Sequence, residues 1–220
     1  MNLELQKRII TSIFLLSLLV FMFFYTFILI ISLIVVAIIA WIEFYNLISK
    51  IFLNDNLKDK ILRFSYKALS LLYLFLLVYL VITVKSNNPE FEIVVIFSIL
   101  ISIMTDVGGL VVGKIIKGKK LTTISPKKTV SGSLGSFLFS LLLVPFFIKY
   151  FPEYYLLELF LITIVISLIS QIGDLFISFL KRKANVKDTS DLLPGHGGVL
   201  DRVDGVIFSI PFGFLIFLNF

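Results

Sequence analysis

A chain of 220 residues that is 59% hydrophobic and only 15% charged cannot hide its apolar side chains inside one water-soluble domain, so the composition calls for a bilayer. The apolar runs are continuous rather than alternating, which excludes a spanning β-barrel and leaves helices. There is no cysteine, so disulfides and thiolate metal sites are excluded, and the net charge of +6 has to be read from where the cations lie.

The chain opens on a short polar start ending in Lys7 and Arg8. From Ile9 to Ile42 no residue is charged. As one helix that run would be about 50 Å long, well beyond the hydrocarbon thickness, so it divides into two spans near Tyr25 and Thr26. It is also too long for a cleaved signal peptide, and no small-x-small site follows it. Residues 49–65, with Lys50, Lys58, Lys60 and Arg63, read as a polar loop. A third span is expected over about 66–84, a turn over 85–92, and a fourth span over about 93–112. A basic, glycine-containing loop runs from Gly113 to Gly135, and a fifth span continues to about Phe147. Lys149 to Glu153 turns the chain into a sixth span, about 155–180. The polar segment around 181–204 leads into a short seventh span, about 206–218, with a start inside the Asp-rich stretch as the alternative.

This reading is an all-α, polytopic membrane bundle of about seven transmembrane helices, one membrane-embedded domain over 1–220 with its chemistry in 93–220. With a cytosolic N-terminus, the inner segments are 1–8, 49–65, 113–135 and 181–204. These hold 17 of the 20 Lys and Arg residues, as the positive-inside rule requires. Both chemically rich loops then face the cytosol.

Three carboxylates fall inside predicted spans: Glu43, Asp106 and Asp174. Ionisable groups at such depth are costly and mark function or a hydrogen-bonded structural tie. Asp106 and Asp174 each lie seven residues before the inner end of their span, about 10 Å below it. Gly173 precedes Asp174 and lets another group approach its helix. Asp201 and Asp204 share a helix face if their stretch is helical, and Asp204 reads equally well as the N-cap of the last span. Carboxylates meeting from two helices suit Mg²⁺, which takes oxygen ligands and keeps substrate phosphates in its shell. Lys181, Arg182, Lys187 and Arg202 flank these acids, and Lys127 and Lys128 follow Ser125 and Pro126 in the other loop. Such cations serve a metal-bound polyphosphate, or else anchor the chain to anionic lipid. His196 lies among glycines, and the backbone N–H groups of Gly197 and Gly198 are suited to a phosphate.

The order Ser178-x-Leu180-Lys181-Arg182, Lys187-Asp188-x-Ser190, then Leu193-Pro194-x-His196-Gly197-Gly198-Val199-x-Asp201-Arg202-Val203-Asp204 resembles the signature of the phosphatidate cytidylyltransferase (CDP-diacylglycerol synthase) family. Asp106-Val107-Gly108 with Gly113-Lys114, and Ser125-Pro126-Lys127-Lys128-Thr129, are similar to further elements of that family, and the opening helices ending at Glu43 also fit. Ser131 departs from the acid or amide expected before Gly132, and the chain is short for the family between residues 50 and 90.

The resemblance implies a Mg²⁺-dependent nucleotidyltransferase of phospholipid biosynthesis: CTP and phosphatidate give CDP-diacylglycerol and pyrophosphate. Implied metal ligands are Asp174 and Asp201, with Asp106 and Asp204 as further candidates and a second cation left open. Lys181, Arg182, Lys187, Asp188, His196, Arg202 and Asp204 join the catalytic set. Ser125, Lys127, Lys128, Thr129, Ser178, Gly197 and Gly198 are expected to bind substrate. The expected partners are CTP, phosphatidate, the bilayer and a second copy in a homodimer, with no nucleic acid among them. The expected location is the bacterial inner membrane, multi-pass, with the active site facing the cytoplasm.

Overall fold

The computed structural model describes residues 3–54, 56–87, 89–195 and 197–219. Among these residues the regular structure is helical, without strands: α1 (Leu3–Phe24), α2 (Thr26–Ile51), α3 (Leu57–Asn87), α4 (Pro89–Ile116), α5 (Val130–Leu141), α6 (Val144–Phe147), a 3-10 turn (Ile148–Tyr150), α7 (Leu156–Lys183) and α8 (Leu200–Asn219). Among the described residues, five helical stretches are long and apolar enough to cross a membrane: Phe27–Ile51, Leu57–Val84, Glu92–Ile116, Val130–Tyr150 and Leu156–Lys183. The apolar part of α1, Ile9–Met22, is shorter, and α8 opens with Asp201, Arg202 and Asp204. Large apolar side chains point outward along these helices, Phe75 at 64% and Leu161 at 56% exposure. Such a surface is costly in water and costs little against lipid.

The break expected near Tyr25 is present: Tyr25 alone, in an extended conformation, separates α1 from α2. The expected loop over 49–65 is corrected. Helix α2 continues to Ile51 and α3 begins at Leu57, so most of that polar stretch is helix. Lys50 lies in the last turn of α2 and Lys58, Lys60 and Arg63 in the first two turns of α3, where long stems carry the charges clear of the helix ends. Helix α4 likewise runs past Gly113 to Ile116, and α5 starts at Val130 rather than after Gly135. The expected fifth span is interrupted at Leu142 and Leu143, ahead of Pro145 in the first turn of α6, because proline lacks the N–H that would continue the helix. Helix α8 begins at Leu200, so Asp204 lies inside it and is not its N-cap.

The chain divides into two compact units, Met1–Ile82 with Leu180–Val203, and Thr83–Phe179 with Asp204–Phe220. In the first, α2 and α3 are tied by Lys67. Its ammonium lies 3.2 Å from the Tyr45 ring centre and donates to Ser49 Oγ at 2.6 Å. Its carbonyl accepts from Trp41 Nε1 at 3.2 Å.

The second unit has an aromatic core. Phe97, Phe151 and Phe217 are buried with Val94, Ile101, Leu159 and Ile166, and the Phe151 and Phe217 rings stack at 4.7 Å. Toward the other end, small residues replace large ones. Ser102 and Ser170 share a hydrogen bond of 2.8 Å, Thr105 and Ser167 one of 2.7 Å, and Ser136 Oγ donates to the Thr105 carbonyl at 2.7 Å. Helices α4 and α5 cross on glycines. A Cβ on Gly108 would stand 2.4 Å from the Gly135 carbonyl oxygen, and one on Gly135 would stand 2.4 Å from Val112 Cβ. This small-residue contact lets two backbones approach as closely as membrane helices do.

Candidate active site

In the second unit the site is built on Asp174. Gly173 allows α8 to close on α7, since a Cβ there would meet the Phe208 ring at 2.4 Å and the Asp204 carbonyl at 2.8 Å. Asp174, the next residue, forms an ion pair with Lys128 in which neither side chain is fully buried, 22% and 29% exposed. One turn on, Ser178 Oγ donates to Asp174 Oδ1 at 3.3 Å. One turn back, Gln171 accepts from Ser133 Oγ at 2.6 Å, and its Nε2 is a buried donor with no partner.

The backbone of Lys128 is hydrogen-bonded on both sides. The Ser125–Lys128 turn is closed by the Lys128 N–H on the Ser125 carbonyl at 3.0 Å, with Pro126 at the position that prefers its fixed φ. Leu121 N–H donates to the Lys128 carbonyl at 2.8 Å and Val130 N–H to the Lys119 carbonyl at 3.0 Å, a two-rung ladder across the loop. Thr129 then caps α5, accepting from the Gly132 N–H at 3.0 Å. Ser131, the departure from the family pattern, contacts Thr129 Oγ1 at 3.0 Å and donates to the Lys117 carbonyl, where the chain turns through positive φ at Lys117 and Gly118. Lys127 is exposed beside this turn.

In the first unit a second cluster forms around Asp201, in the first turn of α8. Lys181 Nζ lies 2.6 Å from Asp201 Oδ1. Asp201 Oδ2 accepts from Thr189 N at 2.8 Å, Gly198 N at 3.0 Å and Thr189 Oγ1 at 2.9 Å. Glu43 reaches the same loop from α2 and accepts from Thr189 Oγ1, Ser190 Oγ and the Val199 and Leu200 N–H groups. The N–H of Gly198, expected to meet a phosphate, is here donated to Asp201. Gly197 has φ +82° and accepts from the Leu193 N–H at 2.9 Å, and the Asp188 side chain lies against it. Arg182, Lys187, Asp188 and Arg202 are exposed. Asp204 is buried, with Oδ1 accepting from the Gly205 N–H at 2.9 Å, and Asp106 is exposed on α4. His196 lies outside the described residues.

The expected residues therefore gather as Asp174, Lys128 and Ser178 in one unit, and as Lys181, Asp201 and Gly198 in the other. Sequence reasoning missed Thr189, which nothing local distinguishes, and left the role of Glu43 open. The signal for Glu43 was there: a carboxylate within a strongly apolar helix.

Among the described residues no group of three or more His, Asp or Glu side chains is placed to hold a metal ion. Mg²⁺ bound with polyphosphate needs only one or two protein carboxylates. Asp174 fits that use, being partly exposed with a lysine as its exchangeable partner. Asp201 as placed does not, because its side chain is 6% exposed and a cation would have to displace Lys181.

Burial pushes the Asp201 carboxyl up, but the Lys181 hydrogen bond, the Thr189 and Gly198 N–H groups and the lysine charge outweigh it and hold the group below its ordinary value. The depressed folded value means its stabilisation is present above the unfolded value and is lost as pH falls through the folded one. Acidification below about pH 4, the ordinary range of the group, is therefore expected to open the 181–201 segment before the rest of the chain. Hydrogen exchange at the Thr189 and Gly198 amides checks this; uniform opening of the whole chain would contradict it.

Residues 6–220 match the model of the Cytidylyltransferase family, and the chain belongs to that family. Among curated proteins it is similar to a phosphatidate cytidylyltransferase of Rickettsia bellii, 41% identical over 142 residues, which are 60% of this chain and 60% of that protein. It is similar to proteins of the same name from Rickettsia felis, 40% over 139 residues (59% and 60%), and from Staphylococcus epidermidis, 42% over 120 residues (53% and 46%). The chain thus spans about three fifths of the length of the Rickettsia relatives it matches and under half of the Staphylococcus one.

Proposed function

We propose that the chain transfers the cytidylyl group of CTP to phosphatidate, giving CDP-diacylglycerol and pyrophosphate. The observation that carries this is the family match over 6–220, joined to relatives that bear the phosphatidate cytidylyltransferase name. A phosphate oxygen of phosphatidate attacks the α-phosphorus of CTP, and the bond from that phosphorus to the bridging oxygen breaks as pyrophosphate leaves. The nucleophile is already an anion near neutral pH, so no general base is required. The obstacle is repulsion between two polyanions, and fixed cations are the remedy.

Lys128, locked by its turn and the α5 cap, is the proposed cation against a phosphate of CTP. Lys127, Lys181, Arg182, Lys187, Arg202 and His196 are proposed as further phosphate contacts. Asp174 is the proposed Mg²⁺ ligand; when bound, that ion neutralises charge on the phosphates. Asp201 is assigned instead to holding Lys181 and the 187–201 loop. The proposed topology has seven crossings with the N-terminus in the cytoplasm of a bacterial cell and the site on the cytoplasmic side of the inner membrane, and the proposed assembly is a homodimer. The clustering of 17 of 20 Lys and Arg residues in alternate segments supports the orientation.

The test uses the purified full chain with phosphatidate-containing micelles, Mg²⁺ and α-labelled CTP. The expected result is labelled lipid with one pyrophosphate released per lipid. Labelled CDP without labelled lipid would indicate γ-phosphoryl transfer instead and overturn the proposal.

A further inference from the structure

We propose that Glu43 is a positioning residue which clamps both ends of the motif loop and thereby sets Asp201. This rests on the activity proposed above. The geometry lies within one unit. Glu43 is 4% exposed, on α2, and meets partners 146 to 157 residues away. Oε1 accepts from Ser190 Oγ at 2.6 Å and Val199 N at 3.0 Å. Oε2 accepts from Thr189 Oγ1 at 2.8 Å and Leu200 N at 2.8 Å. A carboxylate offers about four acceptor sites, and all are filled. Glu43 therefore has nothing left for substrate or metal. Its negative charge lies where the first N–H groups of α8 point, the favourable end of that helix.

The partners explain the role. Thr189 and Ser190 directly follow Lys187 and Asp188, and Val199 and Leu200 directly precede Asp201 and Arg202. One carboxylate thus fixes the separation of two charged pairs that end opposite arms of the loop. The link to Asp201 is also direct. Thr189 Oγ1 stands 2.8 Å from Glu43 Oε2 and 2.9 Å from Asp201 Oδ2, so its single proton serves both carboxylates. Room for the clamp exists because residue 198 is glycine; a Cβ there would stand 1.9 Å from Thr189 Oγ1 and 2.5 Å from Glu43 Oε2.

Glu43→Gln is a sharp probe because each carboxylate oxygen accepts one hydroxyl and one backbone N–H. In either orientation the new amide turns an NH₂ toward a backbone N–H, which cannot reverse its role as the hydroxyls can. The full chain in detergent is followed by hydrogen exchange, thermal midpoint and steady-state kinetics. Expected are faster exchange at Val199 or Leu200, unchanged exchange in α4 and α5, and kcat lower by roughly 10- to 100-fold with the KM for CTP little changed. Thr189→Val, which leaves the Glu43 bonds to Val199 and Leu200 in place, is expected to lower kcat without the exchange change. Wild-type exchange at both amides in Glu43→Gln, or a kcat loss matched by a general fall in thermal midpoint, would overturn the proposal. So would wild-type kcat in Thr189→Val. If the unaltered chain makes no CDP-diacylglycerol, the functional reading fails, while the exchange measurement still judges the clamp.

Discussion

Asp174→Asn is expected to lower CDP-diacylglycerol formation by at least about 100-fold while leaving the chain folded and inserted. The substitution keeps the shape of the side chain and the hydroxyl contact from Ser178, and removes only the charge that faces Lys128. Because both partners are partly exposed, the pair contributes no more than about 1 kcal/mol to stability, after allowing for solvent screening. A stabilising role alone therefore predicts near-normal rates in the variant, whereas a metal-binding role predicts their loss. Initial rates with micellar phosphatidate, beside the thermal midpoint, separate the two. Normal turnover would remove Asp174 from the proposed mechanism.

The second large effect is expected at the α4/α5 crossing. Gly108→Ala adds one methyl group, but at 2.4 Å from a backbone oxygen and 2.7 Å from Phe139 Cβ no rotamer change can relieve the clash. The helices must separate, at a cost of about 1–3 kcal/mol, and the midpoint of thermal unfolding falls. Val107→Ala, one position away with its side chain 43% exposed, serves as the control and is expected to be nearly silent. Equal midpoints for the two variants would show that the crossing is not tightly packed.

The legible features were those with local causes. A charge-free run too long for one crossing foretold the break at Tyr25, and the signature around 178–204 foretold the family. The errors were also physical. Polar side chains between 49 and 65 read as loop from composition alone, although a helix end readily carries lysines. Pro145 is a helix breaker inside the fifth span, and the structure interrupts the helix just ahead of it. Gly113 and Gly135 looked like the edges of a loop, whereas Gly135 lies in the α5 surface that meets α4 and Gly113 lies inside α4. What no local pattern carries is partnership across the chain. The filled shell of Glu43 depends on residues more than a hundred positions away, and the four donors around Asp201 appear only once the loop has closed.

The cap at Thr129 ties Lys128 to a counting constraint. Lys128 immediately precedes the cap, and Gly132 and Gly135 follow within the first two turns of α5, on the surface that meets α4. One residue gained or lost between them would rotate the glycines by about 100° away from that surface. The seven-residue interval from Lys128 to Gly135 therefore behaves as a ruler. With the threonine cap and the two glycines in place, its length sets how far the lysine charge stands from the helix crossing beneath.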